Sequence, residues 1–177
     1  MAASLTIGAE APPFHLKALG SGREISRPGG SSDGASPGVP DAGPALLLVF
    51  HDQNSVDAVQ AMQETVRPRY ADARQLLIAS VVNMKSVPVF LRSAAEGVMK
   101  GSYSKAAAAM PPELDAADYV LILLDWDGKV SAAYGAHKVD KQPLLVLIDP
   151  AGLVRGVHRG VDLSEPALAL VEALLGP

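Results

Sequence analysis

LLLVFHDQNSVDAVQAM, Leu46 to Met62, is the stretch on which the reading of this chain turns. It passes from an apolar strand through a short polar turn into the start of a helix. Ala45 to Phe50, ALLLVF, is apolar at every position, as a central strand covered on both faces should be. Asn54 or Ser55 can cap the helix that follows, and Asp57 falls in its first turn, where an acid suits the helix dipole. Val59, Met62, Val66 and Tyr70 recur at helical spacing and should face a core, and Pro68 bends or ends the helix. Gln75 to Val82, QLLIASVV, reads as a second buried strand. Strand, helix, strand is the unit that builds a parallel pair with a right-handed crossover.

Downstream, residues 84–114 are expected to form a helical insertion. Ser86 to Leu114 mixes helix formers with Gly97, Gly101 and Pro111-Pro112, so one or two short helices are expected, broken near Gly101 and stopped at the prolines. Val87, Val89, Phe90, Leu91, Val98 and Met99 make this region richer in apolar groups than a surface excursion needs. It either covers the sheet or presents an apolar groove or dimer face. Tyr119 to Asp125 is a third buried strand, and Trp126-Asp127-Gly128-Lys129 supplies a turn. Trp126 is read as packing or interface, not as a cofactor-stacking group. Leu144 to Ile148 follows Pro143 as a fourth strand, and Asp149-Pro150-Ala151-Gly152 turns it into Leu153 to His158, an antiparallel hairpin. Ser164-Glu165-Pro166 opens a last helix, with Ser164 as its cap and Leu168, Val171, Leu174 and Leu175 on its apolar face. Asp125, Asp127 and Asp149 are read as turn residues and not as catalytic carboxylates.

Upstream, Leu5 to Lys17 is an extended opening segment, and residues 27–44 are half Gly or Pro. Such a composition cannot bury enough apolar surface to offset chain entropy, so a flexible loop is expected there. The expected architecture is α/β, a central mixed sheet flanked by helices, with an N-terminal β extension and a helical insertion, in a single domain over residues 1–177.

The totals exclude several kinds of function. With 15 Lys and Arg against 19 Asp and Glu, the chain carries a net charge of −4 and lacks the basic stripe of a nucleic-acid surface. Its apolar runs fall well short of the roughly 20 residues a spanning helix needs, and MAASLTIGAEAPPFHL does not read as a secretory signal. Neither nucleic acid nor membrane is expected as a partner, and a cytoplasmic location is. Zero cysteines remove disulfides, thiolate catalysis and Cys-based metal sites.

Four segments, in order, resemble the thioredoxin superfamily, specifically its peroxiredoxin-like and TlpA-like branch. IGAEAPPFHLKALGSGREIS (Ile7 to Ser26) resembles the branch's opening G-x-x-A-P-x-F-x-L and the Gly turn after it. ALLLVFHDQNSVDAV resembles its strand, active-site turn and helix, and VLILLDWDGKVSAAYGAHKV its D-x-x-G-x-V-x-x-x-Y-G segment. QPLLVLIDPAGLVRGVHRG resembles its final hairpin. The resemblance implies a thioredoxin-like fold, with Pro143 as a cis proline beside the active site, about where a peroxiredoxin supplies its activating Arg. A Cys-x-x-Cys pair would fall on Ser55 and Ala58. Alternatively, a peroxide-attacking cysteine would fall on Ala58, with Ser55 in place of its hydroxyl-bearing helper. Neither alignment leaves a nucleophile. A serine hydroxyl needs a base to act, and neither a Gly-x-Ser-x-Gly elbow nor an evident base accompanies Ser55, which is most simply a helix cap.

The chain is therefore expected to be a non-catalytic binding or scaffold protein without thiol peroxidase or disulfide reductase activity, its partner another protein or further copies of itself. A second reading keeps a small-molecule or metal site, with non-thiol chemistry, in the same cleft. His51, Asp52, Asn54, Ser55 and His137 would line it, although no tight His-x-x-x-His spacing supports a metal. A third is a peroxiredoxin-like antioxidant protein whose cysteine has been replaced. No cofactor is expected.

Overall fold

The computed structural model describes residues 5–27 and 43–177. Most of the 27–44 segment read as a flexible loop, residues 28–42, lies outside them. The strands are β1 (Phe14–Lys17), β2 (Glu24–Arg27), β3 (Ala45–Phe50), β4 (Leu76–Asn83), β5 (Leu121–Asp125), β6 (Leu144–Ile148) and β7 (Val154–Arg159). The helices are α1 (Val56–Val66), α2 (Arg92–Ala108), α3 (Ala116–Tyr119), α4 (Lys129–Ala133) and α5 (Ser164–Leu175).

β3 is the middle of a five-stranded sheet in the order β5-β4-β3-β6-β7. It runs parallel to β4 on one side and antiparallel to β6 on the other, and all six of its residues are buried. The pleat sends Leu46, Leu48 and Phe50 to one face and Ala45, Leu47 and Val49 to the other. On the first face they meet Phe14, Ile25 and Tyr134, and on the second Val59, Met62 and Val66 of α1 with Ala167 and Val171 of α5. An unbroken apolar run is what a strand needs when helices or hairpins cover both of its sides. The β3–α1–β4 and β4–α2–α3–β5 passages both join parallel strands, while β6 and β7 form the antiparallel hairpin.

Several elements differ from the expectation. The opening segment pairs with Glu24–Arg27 as a β1–β2 hairpin, where the composition predicts a single extended segment. The chain around it bridges both outer strands, Ala18 to Leu123 of β5 and Glu10 to Leu153 at the start of β7. Helix α2 runs unbroken through Gly97 and Gly101, because a helix-interior glycine costs about 1 kcal/mol but keeps its N–H and its hydrogen bond. Its inner side, Ala95, Met99 and Tyr103, packs with Leu19, Met84 and Leu124. Tyr103 lies directly over Gly20, which sits at φ +82° and where a Cβ would come within 2.5 Å of the ring. Tyr119 belongs to α3, capped by Asp115, whose carboxylate accepts from the Ala117 N–H at 2.9 Å, so β5 starts two residues later than expected. Helix α4 was not anticipated; it begins after Gly128, at φ +70°, in the expected Asp-Gly turn. In α5, Leu163 holds the cap position and Ser164 is the first helical residue, with no side-chain cap.

Candidate functional site

The C-terminal end of β3 carries the chain into the turn that the sequence marks as the site. The last ladder pair of β3 and β6 is Phe50 with Leu144, so one step further Pro143 stands opposite His51. Pro143 is buried and accepts from the Gly160 N–H at 3.1 Å through its carbonyl. Its peptide bond is trans, which corrects the expected cis proline. The cis form is disfavoured even before proline and persists only where surroundings fix it.

His51 is 7% exposed. Its Nδ1 lies 2.9 Å from the Asp52 carbonyl oxygen, so that nitrogen is assigned the proton and donates it. Nε2 is then a bare acceptor, buried without a partner. Burial holds the imidazole below its ordinary value against the opposing pull of the Asp52 backbone bond and charge.

Asp52 caps the turn. Its Oδ1 accepts from the Asn54 N–H at 2.9 Å and its Oδ2 from the Asn54 side-chain amide at 2.8 Å. A single 3-10 turn over Gln53–Ser55 follows and feeds α1. Ser55 does hold the position before α1, but its hydroxyl makes no capping bond; Asp52, three residues earlier, does the capping, and Asn54 is the residue capped. Ser55 is buried, and among the described residues no base is bonded to its hydroxyl. Ala58, one turn on, packs its methyl against the cluster between the sheet and helices α1 and α5. The two positions where the resemblance places sulfur thus hold a buried hydroxyl and a packed methyl.

His137 lies on the loop after α4. It is exposed, and its carbonyl accepts from Arg159 Nη1 at 2.8 Å while Arg159 Nη2 reaches the Gly135 carbonyl at 2.7 Å. Arg159 thus ties the loop after α4 to β7, a role nothing in the sequence signalled. No group of three His, Asp or Glu able to hold a metal occurs among the described residues. Two surface depressions, one beside Arg69, Tyr70, Arg74 and Leu175 and one beside Arg23, Ile25, Arg27 and Pro44, are lined by neither His51 nor Pro143. No helix among the described residues is long and apolar enough to cross a membrane.

The carboxylates read as turn residues do serve turns. Asp125 is buried; its Oδ2 accepts from both the N–H and the hydroxyl of Ser131 at 2.7 Å, which anchors α4. Asp149 accepts from the Leu153 N–H at 2.9 Å and from Arg155 Nε at 2.5 Å. Burial works against its charge, yet those donors hold the carboxyl below the usual carboxylate range. Tyr134, whose tyrosine-glycine pair appears in the sequence resemblance, is almost fully buried and donates its hydroxyl to the Pro12 carbonyl at 2.8 Å.

No family model matches the chain, and no curated protein does. Solved structures do. The exposed lipoprotein thioredoxin Etrx1 of Streptococcus pneumoniae is 17% identical over 92% of this chain and all of its own, with a TM-score of 0.59. The C-terminal domain of a putative thiol-disulfide oxidoreductase from Bacteroides thetaiotaomicron is 18% identical over 95% of this chain and 97% of its own, with a TM-score of 0.57. The peroxidoxin BcpB of Mycobacterium tuberculosis is 15% identical over 97% and 99%, with a TM-score of 0.55. Identities this low speak to architecture alone. The chain has the thioredoxin-like fold, shared with thiol-disulfide oxidoreductases and peroxiredoxins, and contains no cysteine.

Proposed function

We propose that this chain is a non-catalytic binding or scaffold protein built on a thioredoxin-like frame. The observation that carries the reading is the pair Ser55 and Ala58 at the start of α1, one a hydroxyl without a base and the other a methyl packed on the core. Thiol chemistry needs a thiolate at that turn, and none can form. What the frame offers instead is surface. Val89, Phe90, Leu91 and Val98 stand exposed on the insertion, and Val56 stands exposed at the start of α1. Exposed apolar groups gathered in one patch mark interaction sites in soluble proteins. The test is turnover of hydroperoxides and of a disulfide substrate by the purified chain. Rates at the buffer background are expected; genuine turnover of either would overturn the reading.

The unpartnered Nε2 of His51 favours a second reading, a small ligand or metal received beside Asp52. A thermal-shift screen of metals and metabolites tests it, with stabilisation that disappears in His51→Ala as its signature.

A further inference from the structure

We infer that the cleft between β2 and the N-terminal ends of β3 and β4 is a binding site for a small organic carboxylate, held by the guanidinium of Arg27. The site lies at the opposite end of β3 from His51, and it stands independently of the binding reading above.

Arg23, Ile25 and Arg27 alternate with Glu24 and Ser26, so the pleat turns all three to one side of the β1–β2 hairpin. Ile25 is buried there in the same apolar cluster as Leu46 and Leu77, which are neighbours across β3 and β4. A strand that covers a core should carry apolar residues at the flanking positions too, and two arginines stand there instead. Arg23 is ion-paired with Asp118. Arg27 has no carboxylate within 4 Å among the described residues. A guanidinium offers five N–H donors, and the described residues give this one a single acceptor, the Pro44 carbonyl, 3.0 Å from Nη2. Nε is buried with nothing to bond. Burial lowers the Arg27 pKa against the opposing pull of Tyr134 and Asp149, and the group stays charged. Asp149 cannot serve as its partner, because its oxygens already accept from Arg155 and from the Leu153 N–H.

A half-buried cation with most of its donors unmet calls for an anion, and its planar fork matches a carboxylate through two parallel N–H···O bonds. The second hydrogen of Nη2 and those of Nη1 remain for the two oxygens. The cleft beside Arg27 encloses about 170 Å³. A cavity of about 150 Å³ accepts a benzene ring, so the occupant is a carboxylate with one ring or a short chain. Leu46 and Leu77 line the cleft opposite the arginines. A carbon body suits that side, whereas inorganic phosphate would set charged oxygens against leucine.

Titration with benzoate and with butyrate, followed by two-dimensional amide spectra of the full chain, tests the site. The Ile25, Leu46 and Leu77 signals should shift saturably, with midpoints in roughly the millimolar range that ligands of this size allow, while His51 and Asn54 stay still. Arg27→Gln should weaken binding at least tenfold, and Arg27→Lys, which keeps the charge without the fork, should weaken it severalfold. Circular dichroism checks that each variant is folded, and Arg27→Lys carries the comparison if Arg27→Gln is not. Chloride at matched ionic strength should leave the three signals unmoved. The site is overturned if neither carboxylate gives a saturable shift, if inorganic phosphate binds as well as they do, or if folded Arg27→Lys binds them as tightly as the natural chain. A loss of stability in Arg27→Gln with no carboxylate bound by the natural chain would reduce Arg27 to a tie between β2 and Pro44.

Discussion

The rings of Phe50 and Tyr134 lie 5.2 Å apart and tilted by 32°, which ties the last residue of the central strand to the residue that ends α4. Phe14 of the opening hairpin meets the same tyrosine edge-on at 6.1 Å. Three segments far apart in the chain therefore converge on one side chain, and Phe50 immediately precedes the candidate site. Burial pushes the Tyr134 phenol well up, so it stays a neutral donor to Pro12. Tyr134→Phe keeps the packing and orphans the Pro12 carbonyl, at an expected cost of about 1 kcal/mol. Tyr134→Ala removes the ring and should cost about 3–5 kcal/mol. Urea unfolding midpoints measure both; equal losses would show that packing at Tyr134 contributes nothing.

Strand identity was legible where composition settled it. ALLLVF and LLVLI are apolar throughout because helices or hairpins cover both faces, and no exposed element would tolerate such runs. The chemistry of the turn was only partly legible. Ser55 satisfies the preference for a cap by type, yet the 3-10 turn that precedes α1 moves the capping task to Asp52, a geometric outcome that sequence spacing does not encode. Helix α4 is not legible in the sequence because its five residues are too few to show a period. Its hold on the fold comes from a buried carboxylate, Asp125, that reads locally as a turn residue. The task of the His137 loop is not legible either, because its tie to β7 runs from the Arg159 side chain to a backbone carbonyl.

Gly156 has a close neighbour of its own. A Cβ there would overlap the Leu170 side chain of α5, and the glycine φ is not in the left-handed region, so the constraint is packing alone. Gly156→Ala should destabilise by about 1–3 kcal/mol through overpacking. Gly156→Ala combined with Leu170→Ala should recover part of that loss, giving a favourable coupling in a double-mutant cycle. Additive losses would place the penalty elsewhere.

His51 sets a pH dependence whose sign follows from burial. Its folded value is depressed below the ordinary 6.5, so the unfolded chain takes up the proton first as pH falls. Stability from this site is complete above about pH 6.5 and declines as pH falls from there through the folded value. The Asp149 carboxyl, also depressed, acts in a separate window below its ordinary 3.8. Urea midpoints between pH 7 and 5 should fall for the natural chain and stay nearly flat for His51→Gln. A parallel decline in both would remove His51 as the cause.

The missing nucleophile can be supplied. Ser55 and Ala58 stand three residues apart, at and just inside the start of α1, where backbone N–H groups and the helix dipole favour an anion. A thiol at Ala58 would replace a half-buried methyl on a rigid helix, so the frame should accept it with little loss of stability. Ala58→Cys should therefore titrate below the ordinary thiol value of about 8.5, readable from the pH dependence of its alkylation rate. Ser55→Cys with Ala58→Cys should close to a disulfide under air, seen as the loss of two titratable thiols. Peroxide reduction by Ala58→Cys should remain slow even so, because Pro143 stands about where the resemblance would place an activating Arg and the neighbouring imidazole is neutral and buried. A thiol of ordinary or raised pKa would show that this turn has lost the electrostatics of a thiolate site along with the sulfur.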